Sequence, residues 1–80
     1  MTAKRKINVY KAEHGQSSRD VARMLNISMT EYYGFLKGSR VVDVRVLRQI
    51  SNFTCIPLGK VQEEYLENMN TYMKSKGFNL

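Results

Sequence analysis

Residues 17–38 read SSRDVARMLNISMTEYYGFLKG. Apolar and small residues fall where two short helices joined by a tight turn require them. Val21, Ala22 and Leu25 share one face of a helix over 17–25, Ile27 closes the turn, and Tyr32 and Phe35 lie three apart on a helix over 28–37. Ala22 carries most of the weight. Two helices crossing steeply bring their backbones together at one point, and a side chain larger than a methyl would hold them apart there. The expected unit is a helix-turn-helix over 17–37, whose second helix is the probe such units insert into the DNA major groove.

The punctuation around this unit is helical. Residues 4–14 form a first helix with Ile7 and Tyr10 inward and Val9 as a further inward candidate, ended by Gly15 in the left-handed conformation. Ser17 supplies an N-cap hydroxyl and Asp20 a carboxylate three residues on, a variant of the capping box. Asn26 stands in the turn, where positive φ is needed and Asn is the next choice after Gly. Ser28 caps the second helix of the unit and Gly38 ends it.

Beyond it, Asp43 caps a fourth helix with Val44, Leu47, Ile50 and Ser51 on its buried face. The alternating run Val41, Val42, Val44, Val46 also fits a strand, but it continues into a helical pattern and a lone strand has no partner. Pro57 suits the first turn of a fifth helix over 57–75, where Leu58, Val61, Tyr65, Met69 and Tyr72 recur at helical spacing and Leu66 and Met73 widen the stripe.

Eighty residues allow one domain, 1–80, with a small core that needs efficient helix packing or a partner subunit. One cysteine, Cys55, excludes an intrachain disulfide and cannot make a zinc site alone; between Thr54 and Ile56 it reads as a small buried apolar residue. Lys4, Arg5 and Lys6 are followed by a mixed segment unlike a signal peptide, and no stretch approaches the roughly 20 apolar residues of a membrane span. A soluble, cytoplasmic protein without a membrane partner is expected. The net charge of +6 is confined to residues 1–48, which hold ten Lys/Arg against four Asp/Glu, while residues 49–80 are neutral. Such asymmetry suits a polyanion, since phosphates neutralised by Lys or Arg release condensed counterions. Ordinary solvated surface is the alternative on charge alone.

The order helix, Gly15, Ser17, Val21-Ala22, Leu25, Ile27-Ser28, Phe35, Lys37-Gly38 and a following amphipathic helix resembles the Xre/Cro group of lambda-repressor-like DNA-binding domains over about residues 4–65. The resemblance implies an all-α, compact five-helix bundle containing a helix-turn-helix, here with a carboxy-terminal helix extension. It further implies a homodimer that binds double-stranded operator DNA and regulates transcription as phage and mobile-element repressors do. Position by position, it implies that Ser17 and Ser18 anchor a phosphate at a helix amino terminus. Met29, Thr30 and Tyr33 would meet base edges from the helix that Ser28 opens, and Lys37 and Arg40 would contact the backbone. Arg19 and Arg23, on the outer face of the preceding helix, are further phosphate candidates.

Departures from the family pattern keep a second reading open. Before Lys37 the probe helix holds none of the Arg, Lys, Asn or Gln residues that match base edges in pairs; Thr30 offers one hydrogen bond or a methyl contact, and Glu31 can accept from cytosine but repels phosphate. Tyr33 either packs on a sugar and donates to a phosphate, or belongs to a protein-binding face, because Tyr and Met are enriched at interface centres. A helix-turn-helix scaffold acting as a protein-binding module, such as a phage antirepressor, is therefore the rival class. Leu66, Met69, Tyr72 and Met73 extend past what a small bundle covers and are candidates for dimerisation, with a frayed monomeric end as the alternative. Catalysis finds no support. His14 has no metal-ligand partners at suitable spacing, Glu63, Glu64 and Glu67 read as a solvated face, and Gly34 and Gly38 lack phosphate-loop spacing, so neither enzyme activity, metal nor cofactor is expected.

Overall fold

Thr2, Ser17, Ser28 and Asp43 each place a side-chain oxygen where it accepts from a backbone N–H three residues on, and a helix starts after each of them. The computed structural model describes residues 1–77. Its five helices are α1 (Ala3–His14), α2 (Ser18–Met24), α3 (Met29–Lys37), α4 (Val44–Thr54) and α5 (Leu58–Ser75), with no strand among the described residues. Pro57 is the N-cap of α5 rather than part of its first turn, and no side chain caps that end. Gly15, Gly38 and Cys55 end α1, α3 and α4 with φ of 62°, 68° and 60°. Asn26 takes φ 58° in the α2–α3 turn, as its position required.

One apolar cluster joins all five helices. Ala3 and Ile7 of α1, Val21 and Ala22 of α2, Tyr32 and Phe35 of α3, Val46, Leu47 and Ile50 of α4, and Val61 and Tyr65 of α5 are buried, with Leu25, Ile27 and Val42 entering from the connections. α5 packs on both α3 and α4, and α1 packs on α4 and α2. The bundle is compact, with a radius of gyration of 12.3 Å. No helix among the described residues is long and apolar enough to cross a membrane.

Three packing expectations are corrected. Val9 is 41% exposed, because Ile7 and Tyr10 already occupy the inward side of α1 and Ala3 completes it at the amino end. On α4 the buried stripe is Val46, Leu47, Ile50 and Thr54; Val44, in the first turn, stands outside it, and Val42 of the preceding loop enters the core. Cys55 is exposed, since the left-handed residue that terminates α4 turns its side chain out of the bundle.

Gly38 has two reasons to be glycine. Its φ is positive, and a Cβ built on it would overlap the backbone of Asn68 and Met69 in α5. Gly15 shares the positive φ but has open space around it. Gly15→Ala is therefore expected to cost about 1–2 kcal/mol, the left-handed penalty alone. Gly38→Ala should cost clearly more, because α5 must also move. Urea denaturation of the two variants checks this order, and equal losses would mean that α5 does not lie on the end of α3.

Candidate functional site

The corner between α2 and α3 is built from the inside outward. Val21, Ala22, Leu25 and Ile27 bury its inner side with Tyr32 and Phe35, and the chain reverses through backbone bonds from Asn26 N–H to Arg23 O and from Ile27 N–H to Ala22 O, both 3.0 Å. Ala22 is 2% exposed, consistent with a closely packed corner. On the outer side Arg19 and Arg23 of α2 line a shallow depression together with Asn26, Ser28, Met29 and Glu31. Farther along α3, Thr30, Tyr33 and Lys37 are exposed on one stripe, and the Lys37 ammonium lies 5.1 Å from the centroid of the Tyr33 ring. Arg40 follows in the loop.

Serines at this corner are engaged internally. The Ser17 hydroxyl accepts from Asp20 N–H at 3.1 Å and Asp20 accepts from Ser17 N–H at 2.9 Å. Ser28 and Glu31 repeat the arrangement at 3.1 and 2.9 Å. Ser18 faces inward enough for its hydroxyl to accept from Lys11 Nζ at 2.9 Å and to lie 3.5 Å from the Tyr32 hydroxyl. Met29 is half-buried against the core, leaving only part of its side chain for any partner.

Glu31 is bound to the protein rather than free to meet a ligand. Besides its capping bond it accepts from Arg45 Nη2 at 2.9 Å, and Arg45 also donates to Asn26 O at 3.3 Å, so one α4 side chain ties the turn to the first turn of α3. Its carboxyl is held below the ordinary glutamate range first by the Ser28 N–H bond, against a desolvation effect, and then by the Arg45 charge. Asp20 is lowered first by the Ser17 N–H, then by the Ser17 hydroxyl, with Arg23 a smaller contributor. Among the described residues the ion pairs are Arg45–Glu31 and Lys60–Glu63, so Arg19, Arg23, Lys37 and Arg40 carry charge without a salt-bridge partner.

The loop after α3 is held by α5. The Tyr65 hydroxyl donates to Arg40 O at 2.7 Å and accepts from Val42 N–H at 3.1 Å, and Asn68 Nδ2 donates to Phe35 O at 3.0 Å. Gly34 makes room for that loop, since a Cβ there would stand 3.1 Å from Val42 Cγ1 and 3.3 Å from Arg40 Cβ. Of the four α5 residues singled out for dimerisation, Leu66 is 57% exposed, Met69 packs against the core, and Tyr72 and Met73 are half-buried. Glu64 departs from a merely solvated face by accepting from Ala3 N–H at 2.6 Å and Lys4 N–H at 3.0 Å at the start of α1. No group of three or more His, Cys, Asp or Glu among the described residues is placed to hold a metal ion.

No protein-family model, curated protein or solved structure matches this chain.

Several of these contacts have no local signature. Arg45 and Glu31 are 14 residues apart, and the Tyr65 and Asn68 bonds span 23 to 33. Ser28-x-x-Glu31, however, is the full capping-box spacing, and it assigns Glu31 to the backbone from sequence alone.

Both lowered carboxylates contribute stability that is complete above the ordinary carboxylate pKa of about 4 and is lost as pH falls through their depressed values. Thermal midpoints should stay flat from neutral pH to about pH 5 and fall below about pH 4. An Asp20→Asn/Glu31→Gln protein should start lower at neutral pH and lose less on acidification. Parallel curves for the two proteins would show that other carboxylates carry the acid response.

Proposed function

We propose that this chain is a lambda-repressor-like DNA-binding regulator of transcription, with α2 and α3 as its helix-turn-helix and α3 docking in the major groove of double-stranded DNA. One observation carries the reading: the exposed stripe Thr30, Tyr33, Lys37 is accompanied by Arg19, Arg23 and Arg40, which have no salt-bridge partner among the described residues, while the nearby acids Asp20 and Glu31 are occupied by helix caps. That arrangement favours a polyanion on this side, and the confinement of the whole net charge to residues 1–48 supports it.

In this reading Lys37, Arg40, Arg19 and Arg23 bind phosphates, and Ser17 and Ser18 line the amino end of α2. Ser28 opens the probe helix, and Thr30 and Tyr33, with the exposed part of Met29, face the bases. Such a set gives few paired hydrogen bonds to base edges, so selectivity comes in large part from duplex shape and deformability. A second copy docking through Leu66, Tyr72 and Met73 would set two α3 helices about one DNA turn apart.

Selection of bound duplexes from a random library, followed by salt titration, tests the reading. An enriched inverted repeat and a steep salt slope are the expected result. Lys37→Glu/Arg40→Glu should weaken binding by roughly a hundredfold or more at moderate salt with unchanged helical circular dichroism. Unaltered affinity would remove the groove-docking model and turn attention to Tyr33 and Met29 as a protein-binding face. Sedimentation at high micromolar concentration checks the second copy, and a monomer there removes the dimer.

A further inference from the structure

Arg40 lies in a stretch of chain without helix or strand, yet the loop it belongs to is fixed from two sides. From below, the Tyr65 hydroxyl joins Arg40 O and Val42 N–H, two residues apart in the middle of the loop, with one donated and one accepted bond. Tyr65 is 7% exposed, and its ring stacks on fully buried Phe35 with centroids 6.1 Å apart, so the position of the hydroxyl is set by the core. From the side, Gly34 brings the α3 backbone so near that a methyl group on it would press on Arg40 Cβ and Val42 Cγ1. The Arg40 side chain itself remains exposed.

We infer that Tyr65 is a positioning residue for Arg40: its hydroxyl holds the loop so that the guanidinium stands beside the exposed face of α3 before any phosphate arrives. This rests on the DNA reading given above. The physical effect is one of preorganisation. A loop already ordered in the free protein loses little conformational freedom on binding, whereas a released loop loses it at that moment. A tyrosine serving the core alone would need only its ring. The two hydroxyl bonds to one loop are what that account leaves unexplained.

Tyr65→Phe keeps the ring and removes the clamp. Three measurements on the full chain test it, with a short random-sequence duplex as probe, because phosphate contacts weaken uniformly across sequences when lost. Amide exchange should accelerate at Val42 while the amides of Ile50 and Val61 keep their protection. Affinity should fall about three- to tenfold, the range expected from ordering one long side chain and its loop. The slope of log affinity against log salt should stay at the wild-type value, because the phosphate contact still forms and only its ordering cost rises. Arg40→Ala, by contrast, should lower that slope by about 0.9, as for one lost phosphate contact, and Tyr65→Phe should add nothing to the affinity loss in that background while keeping its full effect in an Arg23→Ala background. Gly34→Ala, which pushes the loop from the other side, should likewise lower affinity only when Arg40 is present.

An equal loss of affinity with and without Arg40 would overturn the inference, since Tyr65 would then act through the fold as a whole. Unchanged Val42 exchange or unchanged affinity in Tyr65→Phe would also overturn it. Duplex binding by the wild-type chain with either of these outcomes overturns the inference alone. No salt-dependent duplex binding by the wild-type chain overturns the DNA reading and the inference together.

Discussion

The crossing of α5 over the carboxyl end of α3 is the contact on which the rest of the structure depends. Gly38 lets the two backbones meet, and Asn68 supplies a donor to Phe35 O, one of the carbonyls that a helix end leaves without an internal partner. One turn earlier on α5, Glu64 accepts from the first two N–H groups of α1, and between them Tyr65 binds the α3–α4 loop. Three side chains within five residues therefore satisfy polar groups of three other segments. Apolar packing alone is non-directional. These bonds fix how the helices are arranged, because each needs its partner at one distance and angle.

Charge at the α2–α3 corner is distributed by the same economy. Helix starts favour a carboxylate, and Asp20 and Glu31 answer that demand while remaining bonded to Ser17 and Ser28. The acids nearest the exposed stripe are thus used for local structure, and Arg45 offsets one of them further. Among the described residues Arg19, Lys37 and Arg40 are left with no salt-bridge partner. Stability and an outward positive surface come from one set of choices rather than from competing ones.

Local chemistry was readable where the responsible residues are close in sequence. Ser17 with Asp20, Ser28, Asn26, Gly15, Gly38 and Asp43 placed six helix boundaries within about one residue, because caps and left-handed turns depend on one to four neighbouring side chains. Packing faces were less readable. Val44 satisfies the helical period as well as Val46 does, but its position in the first turn of α4 leaves it at the edge of the bundle, and periodicity does not know where a neighbouring helix ends. Cys55 followed a similar logic: its residue type favours burial, but its left-handed backbone decides the direction of the side chain. The bonds of Glu64, Tyr65 and Asn68 were out of reach, since they join segments up to 61 residues apart.

α5 also limits what the chain can offer a partner. A bundle of this length buries little surface per residue, so the apolar side chains it has are largely needed for itself. Val61 and Tyr65 are buried, and Met69, which the stripe pattern made available for a second copy, packs on the core beside Gly38's contact with its backbone. A partner that drew Met69 outward would disturb the α3 end and the loop bearing Arg40. Docking on α5 would instead have to use Leu66, at 57% exposure, with the open edges of Tyr72 and Met73. The residue that widens the stripe, not the one at its centre, is therefore the side chain that the fold leaves free.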